Sequence, residues 1–341
     1  MSQHLEELVT HGVRHWGRFD ERPVAVNPLE EYLGVTRRAK RLRLKEWIGW
    51  TLMHPELSSS MILQDAHYLA SSELYVRDAA TGRLTEHARN AGGGSLRLPE
   101  MLYNSAPSID KKGYRVAYEF GPKGGTHRIQ AEVEGTEDQL PVTVDLVLDG
   151  SRASAALSVS QPLAPRGAMY THKIIFPTSG TITVGDHTYV FDGDRDLAIL
   201  DEHKTFLPYR TTWLWGTFAQ FTPAGIVGAN FCQRPMQPGT EEESCLWVPT
   251  PAGPVAAPLN DVVFTADSDD SLSPWKVRSG DGSLDLTFTP DGRKDVKHQL
   301  VLFAIDYWQL YGTYSGTVTA GGASHAVDAV RGVLENMNAR L

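Results

Sequence analysis

From Leu44 onward the chain is cut into short segments rich in β-branched and aromatic residues, each closed by Gly, Asp, Asn or Pro. The first half carries such segments at 47–53, 58–63, 73–77, 114–120, 128–133 and 142–148, and the second half repeats the texture. Between them fall Asp149-Gly150, Asp192-Gly193, Asp281-Gly282 and Asp291-Gly292, acidic-glycine pairs that favour tight hairpins. A long open sheet would leave unpaired edges. The pattern therefore predicts an all-β protein of two successive antiparallel β-barrels or curved sheets.

With 341 residues, the chain suits two domains of roughly 150 residues each. The run from Ser160 to Gly167 holds two prolines and a glycine without a strand pattern, so the domains are expected over 1–165 and 166–341. Leu5, Leu8, Val9 and Val13 predict a short N-terminal helix. Val327, Val330, Leu334 and Met337 predict a C-terminal one. Residues 235–258, proline-rich and acidic, read as a surface loop or partial lid.

Acidic residues number 41 against 32 basic ones, for a net charge of −9, which argues against a nucleic-acid binder. The one basic run, 37–45, reads as a solvated segment entering the first strand or as a local anion patch. No stretch is apolar enough for stable membrane insertion, and the N-terminus lacks a secretory pattern, so a cytoplasmic protein is expected. The two cysteines, Cys232 and Cys245, are expected to be reduced. Nothing in the sequence speaks to oligomeric state.

Sequence signatures of serine hydrolases, nucleotide hydrolases, nicotinamide dehydrogenases and zincins are missing. Attention falls instead on 201–216, where Asp201, His203 and Arg210 lie near Tyr209, Trp213 and Trp215. Alternation places both indoles on one face, either as plain core or as the wall of a site. Further candidates are Glu46 and Trp47 on the first strong strand, Tyr170 and His172 at the opening of the second half, and Asp306 with Trp308. His172, His203 and Asp201 are the one set that would converge on a metal, although no metal or cofactor is expected.

Lys45-Glu46-Trp47, Tyr170-Thr171-His172-Lys173, Pro208-Tyr209-Arg210 with Trp213-x-Trp215, and 284–290 together resemble an uncharacterised bacterial family, a domain of unknown function, over about Trp16 to Leu334. That family is similar in fold to carotenoid 1,2-hydratases and lipocalin-like Diels-Alderases. The resemblance implies lipocalin-like domains, and it aligns Asp201 with the aspartate taken as proton donor in the carotenoid hydratases.

These readings lead to a cofactor-independent acid/base enzyme of hydratase, isomerase or cyclase type. Its substrate would be an apolar isoprenoid- or polyketide-like molecule in an aromatic-lined pocket. Asp201, His203 and His172 would be catalytic. Tyr170, Tyr209, Arg210, Trp213, Trp215, Glu46, Trp47, Asp306 and Trp308 would bind substrate. An acid catalyst requires Asp201 to face an apolar pocket with no cation on it, because desolvation must keep the carboxyl neutral. The rival is a non-catalytic lipid or terpenoid carrier, in which Asp201 would pair with Arg210.

Overall fold

The computed structural model describes residues 4–235, 242–299 and 304–340. The chain divides into two compact units, Met1–Ser160 with Met169–Phe206, and Gln161–Ala168 with Leu207–Leu341. Residues 161–168, where the sequence suggests a junction, are grouped with the second unit, and the strands that follow them are grouped with the first.

The early strands are β1 (Val9–Thr10), β2 (Val13–Arg14), β3 (Gly17–Phe19), β4 (Leu44–His54), β5 (Leu57–Asp65), β6 (Leu69–Asp78), β7 (Leu84–Gly92) and β8 (Ser108–Lys111). They continue with β9 (Tyr114–Phe120), β10 (Thr126–Val133), β11 (Val142–Asp149), β12 (Leu157–Leu163), β13 (Gly167–Val184), β14 (His187–Phe191) and β15 (Leu197–Phe206). A helix, α1 (Gly34–Arg43), leads directly into β4. The main sheet of the first unit runs β7-β6-β5-β4-β15-β13-β11-β10-β9-β8. Its core gathers Trp50, Tyr118, Phe120 and Phe176 with aliphatic residues from alternate positions of β4, β5 and β6.

The second unit contains β16 (Arg210–Thr222), β17 (Gly225–Gln233), β18 (Cys245–Thr250), β19 (Gly253–Pro258), β20 (Val263–Ala266), β21 (Trp275–Arg278), β22 (Leu284–Gln299), β23 (Ala304–Ala320) and β24 (Ala323–Arg340). They form one sheet in the order β19-β18-β17-β16-β24-β23-β22-β21-β20. Phe218, Phe231, Phe288 and Tyr314 centre its core. The all-β expectation holds, with two curled sheets. No described helix is long and apolar enough to cross a membrane.

Both expected terminal helices are strands. At the N-terminus His11 and Gly12 have positive φ values of 51° and 80°, which turns β1 back onto β2 and ends any helical path. At the C-terminus a bulge imitates helical spacing. Tyr314 pairs with Val330 and Gly316 with Val327, so two steps along β23 match three along β24. Val327 and Val330 therefore share the core face although three apart, and Leu334 joins them after two ordinary strand periods. Met337 falls on the other face. Of the expected loop at 235–258, residues 236–241 lie outside the described residues, and β18 and β19 form a hairpin over most of the rest. Most of the basic run, residues 37–43, lies in helix α1, none of whose residues is buried, so there is no apolar period to read.

Gly332 lets this second core close. A Cβ there would meet the Thr217 carbonyl oxygen at 2.6 Å and the Tyr314 ring at 2.6 Å. Gly332→Ala is therefore expected to lower stability by about 1–3 kcal/mol through overpacking, measured as a lower denaturant midpoint with strand content intact. An unchanged midpoint would contradict this account of the packing.

Candidate functional site

Strand β15 carries Asp201-Glu202-His203-Lys204, and strand alternation divides this tetrapeptide between two faces. Register fixes the division: Asp201 pairs with Gly49, His203 with Trp47, Glu202 with Ile48 and Lys204 with Glu46. Glu202 and Lys204 thus share the face of Ile48 and Trp50, one row beyond the apolar core. Asp201 and His203 occupy the opposite face.

On that opposite face the Lys173 ammonium donates to Asp201 Oδ1 at 2.6 Å, and His203 Nε2 lies 3.0 Å from the same oxygen. The Trp47 indole stacks on His203 at 4.3 Å and donates to Asp201 Oδ2 at 3.4 Å. Burial alone would raise the Asp201 carboxyl, but Lys173 and His203 outweigh it and hold the group well below the usual carboxylate range. Asp201 is an anion with a cation on it. The neutral proton donor implied by the resemblance does not fit this geometry, and the cation is Lys173, not Arg210.

The core-side face holds the charges that sequence reading largely missed. Arg22 clamps Glu202 with two bonds, Nε to Oε2 at 2.7 Å and Nη2 to Oε1 at 2.8 Å, both side chains at most 2% exposed. Its other N–H groups donate to the carbonyls of Pro23, Val24 and Glu100. All five guanidinium donors are therefore used, which is what makes so deep a charge tolerable. Beside this pair Lys204 Nζ donates to Glu46 Oε1 at 2.5 Å, again fully buried. His67 presents Nε2 to Glu46 Oε2 at 2.8 Å and Nδ1 to Asp65 Oδ2 at 3.5 Å. His172 is buried on this face near Glu202 and Arg22, and Tyr170 bonds Ser158 at 2.9 Å.

His67 sits in the β5–β6 turn with φ at 66°, a conformation uncommon outside glycine and characteristic of constrained sites. The Asp65 carboxylate accepts from the His67 backbone N–H at 2.6 Å and so shapes the turn. Gly93 passes so close that a Cβ would lie 2.3 Å from the His67 carbonyl oxygen. The Asp-x-His signal at 65–67 was available in the sequence, but only the turn brings its ring back to Glu46.

Glu46, Asp65 and His67 open onto a pocket of about 570 Å³, also lined by Glu100, by Arg97 and by Arg37, Arg38 and Arg41 of α1. Two of its carboxyls are pushed in opposite directions. Burial would raise Glu46, but Lys204 and His67 prevail and lower it. Glu100 is largely exposed, and its partial desolvation raises it, with Glu30 and Glu46 adding to the effect against Lys204 and Arg37. Glu46, Asp65 and His67 are also close enough to hold a cation, their ligand atoms lying within 4.8 Å of one another. The carboxylates flank opposite nitrogens of the ring, however, and Lys204 already covers one Glu46 oxygen. That arrangement suits proton exchange better than a metal. His172 faces away from Asp201 and His203, so that set does not converge.

The remaining candidates belong to the second unit. Trp213 and Trp215 do share a face, but Leu214 and Phe218 take the principal core, leaving the indoles on the opposite face with Cys232 and Val333. Their N–H groups are used by Glu335 and Asn230, each at 2.8 Å. Trp308 packs on the principal core instead, against Trp275, and Asp306 lies 3.7 Å from Lys297. Tyr209 and Arg210 are exposed. The pocket of about 570 Å³ has no indole in its lining.

The sequence model of the family described as "Domain of unknown function (DUF2804)" matches residues 13–341, in line with the near full-length resemblance. No curated protein matches the sequence significantly. Among solved structures, kievitone hydratase from Nectria haematococca aligns with a TM-score of 0.42 and 9% identity, over 95% of this chain and 97% of that one.

Two outcomes test the buried network. Arg22→Met strands the Glu202 carboxylate and is expected to destabilise by about 3–5 kcal/mol, whereas Arg22→Met with Glu202→Leu recovers much of that loss. Simple additivity in urea unfolding would contradict the pairing. Burial pushes His172 down to about 4 from about 6.5 in an unfolded chain. The unfolded chain therefore binds the extra proton within that window, so the His172 contribution is complete above about pH 6.5 and drains away as pH falls toward about 4. His172→Gln should flatten the dependence of stability on pH over that interval. Equal slopes for the two proteins would show that the imidazole is not held neutral.

Proposed function

The chain belongs to the DUF2804 family, and from that premise we propose that it is a cofactor-independent acid/base enzyme of lyase or isomerase type, acting on a small molecule in the pocket of the first unit. One observation carries the reading. Glu46 and Glu100 line the same pocket while their surroundings push one carboxyl down and the other up. Such divergence separates a base from an acid.

Glu46, kept ionised by Lys204 and His67, is the group suited to take a proton from carbon. Glu100, whose carboxyl is pushed up rather than down, is the better placed of the two to deliver one to a departing hydroxyl or to the far end of a shifting double bond. His67 touches both Glu46 and Asp65, which supports a path for returning the proton. Asp201, ionised beside Lys173, serves here as a structural anion. Charged lining in place of indoles favours a substrate more polar than an isoprenoid.

The test uses solvent as the label. Incubation with a metabolite extract in deuterated water should yield a product with one deuterium on carbon, from hydration or a double-bond shift, or a product lighter by one water, from elimination. Glu46→Gln and Glu100→Gln, both still folded, should slow its appearance by about 10²- to 10⁴-fold. A compound retained by the protein yet neither labelled nor dehydrated would instead favour the carrier.

A further inference from the structure

The acid/base reading leaves the arginines at the mouth of the pocket unexplained. Helix α1 reads Gly-Val-Thr-Arg-Arg-Ala-Lys-Arg-Leu-Arg, without an acidic residue. Two of its cations are engaged within the fold, since Arg37 pairs with Glu30 at 2.5 Å and Lys40 lies over the ring of Tyr32 at 4.8 Å. Arg38 and Arg41, three residues apart and so on one helical face, line the pocket together with Arg97. Among the described residues none of these three has a carboxylate within ion-pair distance. Like charges at this spacing disfavour the helix by a few tenths of a kcal/mol.

The carboxyls in the same pocket do not answer them. Glu46 is taken by Lys204 and His67, Asp65 faces His67, and among the described residues Glu100 forms no ion pair with the three arginines. The chain as a whole carries a net charge of −9, so this positive mouth is a local exception that focuses anions. Guanidinium groups are also the side chains best matched to the paired oxygens of carboxylate and phosphate.

We propose that Arg38, Arg41 and Arg97 form an oxyanion-recognition site. The substrate is then a small molecule bearing a carboxylate or phosphate, held by that group at the mouth while its uncharged part reaches Glu46 and His67. The substrate assignment rests on the acid/base reading, whereas anion binding by the three arginines does not.

Calorimetric titration at low salt, with inorganic phosphate in one arm and succinate in the other, separates the two kinds of anion. At least one is expected to bind saturably and to weaken as salt is raised. Arg38→Gln combined with Arg41→Gln should reduce that affinity about tenfold or more with the melting temperature little changed, while Arg128→Gln, a surface ion-pair variant elsewhere in the unit, should leave it intact. Failure of the wild-type protein to bind either anion, or undiminished binding by the double arginine variant, would overturn the site. Glu46→Gln keeps the two ideas apart. Lost deuterium labelling with anion binding retained supports both, and labelling that persists with anion binding retained sinks the acid/base reading alone.

Discussion

A charge removed from water must be met by another charge or by a full set of hydrogen bonds, and β15 obeys that constraint twice within three residues. Glu202 is clamped by Arg22 and Lys204 by Glu46, each contact joining segments far apart in sequence. Sliding β15 by one residue against β4 would turn both charges out of their partners' reach and bring Asp201 and His203 inward. The ion pairs therefore specify register where an apolar row alone would tolerate slippage. The pocket inherits its geometry from that register, because Glu46 is at once the partner of Lys204 and part of the pocket wall.

The fold class was legible because hairpin texture is a local property, written in alternation and turn residues. The terminal helices were misread for an equally local reason. A bulge in β24 puts three residues between Val327 and Val330, and sequence spacing cannot distinguish that step from a helical turn. Helix α1 escaped notice because it buries nothing and so leaves no apolar stripe.

The site was only partly legible. Asp201, Glu202, His203 and Lys204 look like one cluster in the sequence, yet strand geometry splits them two by two. Glu46 was found because its strand is strong, while Arg22, His67 and Glu100 lie in turns and connections whose position no periodicity reveals. Trp213 and Trp215 drew attention by size. Their shared face was predicted correctly, but which face of the sheet becomes the principal core depends on Leu214, Phe218 and distant strands.

The order of the second sheet bears on how it comes into being. Strand β24, last of the nine to be synthesised, lies between β16, the first, and β23. A ribosome delivers β16 early, and until β24 arrives that strand has only β17 on one side and an open edge on the other. Closure is thus a late, long-range event, the slow kind in a race against aggregation. In the growing chain β16, with Trp213 and Trp215, keeps that open edge until β24 pairs with it.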